Sequence, residues 1–160
     1  MLGIDPGLTR CGYAVVDGGH HSTRSVALGV ISTPREVDIA DRLLALRQDV
    51  VELLEEYRPH VVAVERIFFQ VNVRTAMGVG QASGIALVES RARGCTVVQY
   101  TPNQIKETVT GHGAADKAQV AKMVQLRLGL SRPPSPADAA DAAAVALCHL
   151  ATVPMTVGTR

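Results

Sequence analysis

The chain has 160 residues, a length that suits one domain around one core. Hydrophobic residues make up 47% and aromatic residues only 3%, so the core must be built from Val, Leu, Ile and Ala. The formal net charge of +1 excludes a uniformly basic nucleic-acid protein; a DNA-binding surface here must hold acids in one pocket and bases around it.

Leu2-Gly3-Ile4 reads as a short strand that ends in the turn Asp5-Pro6-Gly7 and has almost nothing before it. Cys11 to Val16 and Ser25 to Ser32 are two further strands, with Asp17-Gly18-Gly19 as the turn signal between them, and three strands in a row suggest an antiparallel meander. Ile39, Leu43, Leu46, Val50, Leu53 and Tyr57 then fall on one helical face, and Pro59 follows as a stop. Val61 to Val64 is a continuous apolar run, the pattern of a strand buried on both sides, with Glu65 at its end. Val73 to Arg93 reads as a long helix. Its stripe Ala76, Gly80, Gly84, Val88 would admit a close helix, within the monomer or across a dimer.

Thr96 to Tyr100 is a fifth strand, Pro102 to Val109 a short helix, and Gly111-His112-Gly113 a loop. Asp116 to Leu128 is a helix. After the rigid Arg132-to-Pro136 stretch, a last helix runs from Ala137 to about Leu150. Residues 151–160 read as a loosely ordered tail of the single domain. The order of elements predicts an α/β sheet covered by helices on both faces, with ligands beyond the carboxyl ends of parallel strands. Cys11, Cys95 and Cys148 are odd in number and none lies at C-x-x-C spacing. A disulfide framework or zinc site is therefore disfavoured, and a reducing cytoplasm is the natural setting. No signal peptide is visible, and no apolar run reaches the roughly 18 residues of a membrane span.

Four carboxylates need explanation. Asp5 and Glu65 each end an apolar strand, and parallel pairing would bring both to one sheet edge. Asp138 and Asp141 are three apart on a helix, roughly 5–6 Å between Cβ atoms. Clustered carboxylates repel, and hard divalent cations such as Mg²⁺ or Mn²⁺ are the usual remedy. Two such ions about 4 Å apart can activate a water and stabilise the leaving oxygen of a phosphodiester. Each acid also has a plain structural reading. Asp-Pro-Gly is a common turn. Ser135 as N-cap with Pro136 at N1 would place Asp138 at N3, where the helix dipole favours an acid. Asp141 lies beyond the first turn among alanines, where capping does not account for it.

The conjunction resembles the RuvC family of Holliday-junction resolvases. It is carried by Gly3-Ile4-Asp5-Pro6-Gly7, Val64-Glu65-Arg66-Ile67-Phe68, Gln81-Ala82, Lys106-Glu107-Thr108-Val109-Thr110-Gly111, Ala115-Asp116-Lys117 and Pro136-Ala137-Asp138-Ala139-Ala140-Asp141-Ala142, in order over nearly the whole chain. The resemblance implies a ribonuclease H-like fold with a five-stranded mixed sheet. It also implies a homodimer that nicks four-way DNA junctions symmetrically, and a branch-migration helicase complex of the RuvA and RuvB type as partner. Asp5, Glu65, Asp138 and Asp141 would be the metal-binding catalytic acids, and Lys106 and Lys117 would handle phosphates beside them. Phe68, just past the acids, would stack on an unpaired base at the branch point, worth roughly 1–3 kcal/mol; core packing is the plain alternative, favoured for Phe69. Arg66, Arg74, Lys122 and Arg10 could contact flanking phosphates or be ordinary solvated charges. His112 reads as an incidental loop residue. His149 lies about 12 Å along the helix from Asp141 at 1.5 Å per residue, too far to share an ion.

Three rival readings stand beside this one. Asp5-Pro6-Gly7-Leu8-Thr9 resembles the phosphate loop of actin-like ATPases, but those need two such domains around a nucleotide. In a non-catalytic junction-binding module the acids would be structural, and the intact set of four argues against it. A related nuclease of the same fold acting on another DNA substrate is the serious competitor, because fold does not fix substrate.

Overall fold

The computed structural model describes residues 1–18, 23–66 and 73–153. The strands are β1 (Leu2–Asp5), β2 (Arg10–Gly18), β3 (Thr23–Ser32), β4 (Val61–Glu65) and β5 (Thr96–Tyr100). The helices are α1 (Ile39–Tyr57), α2 (Val73–Ala92), α3 (Pro102–Thr110), α4 (Lys117–Arg127) and α5 (Ala137–Thr152). The strands form one mixed sheet in the order β3-β2-β1-β4-β5. β1 to β3 are antiparallel neighbours, whereas β1 pairs β4 and β4 pairs β5 in parallel. This is the five-stranded α/β sheet expected of the ribonuclease H-like class.

Side-chain alternation along the strands divides the core in two. Leu2 and Ile4 of β1, Val15 of β2, and Val62 and Val64 of β4 point to one side, where Leu46, Val50 and Leu54 of α1 and Ala82 and Ala86 of α2 meet them. Ala14, Val16 and Ala63 point to the other side, beneath α5, with α3 and α4 packed beyond it. Helices thus cover both faces, and Val62, Ala63 and Val64 are wholly buried, as their unbroken apolar run predicts.

α5 lies unusually close to the sheet. Ala139, Ala140, Ala142, Ala143, Ala144 and Ala146 are all buried and leave the helix with little side-chain bulk, Ala142 and Ala146 lying directly over Gly3. The strands beneath it carry glycine where the helix touches. A Cβ at Gly3 would strike the Ala142 carbonyl oxygen, and one at Gly12 would strike the Asp138 carbonyl oxygen. Alanine above and glycine below therefore set the height of the helix that carries Asp138 and Asp141.

The α2 stripe resolves differently from a monomer packing face. Gly80 and Val88 are exposed, and nothing lies within contact of a Cβ built at Gly84. The face of α2 that packs into the monomer is instead formed by Ala82, Ile85 and Ala86.

Candidate active site

Asp5 and Glu65 reach the same place by strand parity. Leu2 pairs with Val62, Gly3 with Ala63 and Ile4 with Val64, so the next residues, Asp5 and Glu65, are level at the ends of adjacent parallel strands. Both share the alternation of Gly3 and Ala63 and so face α5. The first turn of α5, pinned against β2 at Gly12, supplies Asp138, and Asp141 follows one turn on.

Electrostatics records the meeting of these acids. The Asp5 carboxyl is pushed up to about 8, first by burial and then by the charges of Glu65, Asp141 and Asp138, with Lys117 opposing. Glu65 is also raised, by burial and by Asp141, against the pull of Lys117 and Lys106. Asp5, Glu65 and Asp141 line a cleft of about 300 Å³ together with Lys106 and Lys117, over an apolar base of Ile105 and Val120.

The two lysines come from separate helices, each with a capping box at its start. Thr101 caps α3 with Gln104, and Asp116 caps α4 with Gln119. Lys117, the first residue of α4, reaches the Asp141 carboxylate at 2.9 Å, and this hydrogen bond raises its affinity for the proton. Lys106 is half-buried at the cleft wall.

Asp138 does not line that cleft, although its charge is felt at Asp5. Arg10, at the start of β2, donates Nε and NH2 to the same Asp138 oxygen at 2.9 and 2.8 Å. Among the described residues, no three carboxylate, imidazole or thiolate groups are set together so as to ligate one ion. The donor set is nonetheless all oxygen and densely anionic, which suits a hard divalent cation.

The remaining candidates are spread more widely. Arg66 is exposed and continues the β4–β5 ladder by donating its N–H to the Tyr100 carbonyl at 2.7 Å. Lys122 donates to Gln125 and borders a different cleft, shared with Thr110, His112 and Asp116. Phe68, Phe69 and the side chain of Arg74 lie outside the described residues. His149 bonds the Tyr100 hydroxyl through Nδ1 at 2.8 Å, a structural role. All three cysteines are free and buried, and burial pushes the Cys11 thiol up to about 12, which leaves it inert as a nucleophile.

Two local expectations are corrected. Pro136, not Ser135, occupies the N-cap of α5, with no side-chain capping bond, so Asp138 stands at the second helical position rather than the third. Proline has no side-chain acceptor to offer there. Arg10, which the sequence marks only as one of several cations, is tied to an acid 128 residues away. No local spacing signals such a pair.

Comparison with known proteins places these features in a family. The family model described as crossover junction endodeoxyribonuclease RuvC matches residues 1–149. The chain is 54% identical over 151 residues to the crossover junction endodeoxyribonuclease RuvC of Parafrankia sp., covering 94% of this chain and 85% of that one. It is 51% identical over 156 residues to the RuvC of Saccharopolyspora erythraea, covering 97% and 78%. Among solved structures, Thermus thermophilus RuvC in complex with Holliday junction substrate superposes with a TM-score of 0.87 at 40% identity, covering 92% of this chain and 90% of that one. The yeast mitochondrial Holliday junction resolvase Ydc2, at 15% identity and a TM-score of 0.70, shares the fold.

Proposed function

Because the chain belongs to the RuvC family of crossover junction endodeoxyribonucleases, we propose that its acid cleft is a metal-dependent phosphodiesterase site that resolves four-way DNA junctions by paired symmetric nicks. The observation that carries this reading is the convergence of Asp5, Glu65 and Asp141 on one cleft, with Asp138 near enough to perturb Asp5. Burial and the neighbouring carboxylates together raise Asp5 and Glu65, the pattern expected where acids are gathered for a cation.

Asp5, Glu65, Asp138 and Asp141 would hold Mg²⁺, or Mn²⁺ in its place, with two ions as the expected number. When bound, the metal supplies an activated water and charge stabilisation at the departing oxygen. The chain itself orients the strand. Lys106 and Lys117 flank the carboxylates and can screen the charge that builds on the scissile phosphate. Arg66 and Lys122 would serve as outer phosphate contacts, with Arg74 beside them, and Phe68 would stack at the opened branch point.

Two cuts related by symmetry need two equivalent sites, which a homodimer provides. Met77, Val88 and Leu44 are all more than half exposed on α1 and α2 and supply an apolar face for it. Within the cell, a branch-migration helicase complex of the RuvA and RuvB type would deliver the junction. No described helix is long and apolar enough to cross a membrane.

Substrate class is tested by incubating the protein with a labelled mobile four-way junction, a flap and a plain duplex in Mg²⁺. Paired cuts on the junction, at least about tenfold faster than cuts on the other two, are expected. Equal cutting of all three would support a nuclease of the same fold with another substrate.

A further inference from the structure

Asp138 is the one proposed ligand that does not line the acid cleft, and its carboxylate is engaged by Arg10. Both nitrogens that Arg10 offers converge on one Asp138 oxygen, at 2.9 and 2.8 Å. The companion pair, Lys117 with Asp141, differs in consequence, because Asp141 already borders the cleft. Arg10 is 47% exposed, so its guanidinium is within reach of a strand laid across the sheet edge.

A guanidinium binds a phosphate by the same forked geometry with which it binds a carboxylate. We propose that Arg10 is a positioning residue that exchanges partners: in the DNA-free protein it occupies the Asp138 carboxylate, and a DNA phosphate that takes Arg10 frees Asp138 to complete the metal site. The inference rests on the metal-dependent reading above. It adds that DNA binding and metal loading favour each other, and by linkage the coupling is reciprocal. A metal site completed only on DNA would limit cutting to engaged substrate.

The test combines two measurements on the full chain. In the first, Mn²⁺ binding to the DNA-free protein is followed by electron paramagnetic resonance. Arg10→Ala is expected to bind Mn²⁺ about two- to fivefold more tightly than wild type, the range set by an exposed ion pair. That gain is expected to vanish in an Asp138→Asn background, as a double-mutant cycle requires when one residue acts through the other. In the second, junction affinity is measured in EDTA across a salt series. Arg10→Ala is expected to bind more weakly, with its salt slope reduced by about one.

Unchanged Mn²⁺ affinity in Arg10→Ala overturns the exchange. So does a gain that persists in the Asp138→Asn background, which would mark a general field effect, or an unchanged junction salt slope. If Asp138→Asn binds no Mn²⁺ at all, the wild-type and Arg10→Ala comparison and the salt slope decide. Failure of the wild-type protein to bind Mn²⁺ even with the junction present removes the metal-dependent reading and this inference together.

Discussion

Asp5 stands at the end of a four-residue strand, half-buried, with three other carboxylates around it. In the folded chain its carboxyl is pushed up to about 8, whereas in the unfolded chain it ionises near 4. Between those values the folded state holds the extra proton. Stability of the metal-free protein therefore falls as pH rises from about 4 to about 8, and Glu65, raised in the same direction, adds to the trend. Glu89, held low by Arg93 and Arg47, works the other way, and its contribution is lost only in acid. A divalent cation that takes the place of the Asp5 proton should raise Tm more at pH 8 than at pH 5.5. Thermal melts with and without Mn²⁺ check this, and Asp5→Asn should flatten the pH dependence. An equal gain at both pH values would mean that no ion displaces a proton there.

Asp5, Glu65 and Asp141 stood out at this scale because each has a local oddity, a strand end or a helical position beyond the cap, whereas Asp138 has a ready explanation at the start of its helix and stood out only in conjunction with the others. The pairing of Arg10 with Asp138 was not legible, since it depends on how closely α5 lies over β2.

Among the elements, α5 decides whether a site forms at all. Its buried alanines and the glycines at positions 3 and 12 form one contact surface, and a methyl group at position 12 would collide with backbone rather than with a side chain able to swing away. Gly12→Ala should therefore cost about 1–3 kcal/mol, the usual range for overpacking, or more. By lifting the start of α5 it should also depress cutting further than stability alone explains. Denaturant melts paired with cleavage rates on the surviving folded fraction check this. A variant of wild-type stability and wild-type rate would show that α5 does not ride on Gly12.

Periodicity marked α1, because buried positions repeat at the spacing of the element that buries them, and apolar runs, turn signals and prolines marked other elements. Depth within a face was harder to read. On α1 the sequence aligns Ile39 and Leu53 with the core, yet Leu54 is the more deeply buried residue and Ile39 is about half exposed. A stripe about 100° wide admits neighbours on either side, and packing against α2 chooses among them. The cap of α5 was misplaced by one residue for a related reason. Serine has the higher capping preference, but the position of this helix is set by its contact with the sheet.

At the scale of the molecule, the strand order joins residues that are remote along the chain. β1 sits at the centre of the sheet with β4 beside it, so the first acid and the second meet across 60 residues, and the last helix closes over both. The mixed α/β class could be read from the alternation of strands and helices. The order β3-β2-β1-β4-β5 could not, because hydrophobic pattern states that a strand is buried and not which strand lies next to it. Family resemblance supplied only the fold class, a ribonuclease H-like five-stranded mixed sheet, and the superposition on a related resolvase bears that out. The whole arrangement is then an anionic cleft with lysines at its wall, carried by a chain of net charge +1.

The most direct measurement follows a labelled mobile four-way junction with wild type, Asp5→Asn and Asp141→Asn, each in Mg²⁺ and in EDTA, with binding and cutting scored separately. Wild type in Mg²⁺ should give paired symmetric nicks and none in EDTA. Both variants should bind the junction and fail to cut it, with rates reduced by at least about 100-fold, as for loss of a metal-ligating or charge-stabilising group. Cutting by either variant at close to the wild-type rate, or wild-type cutting that survives EDTA, would contradict the account.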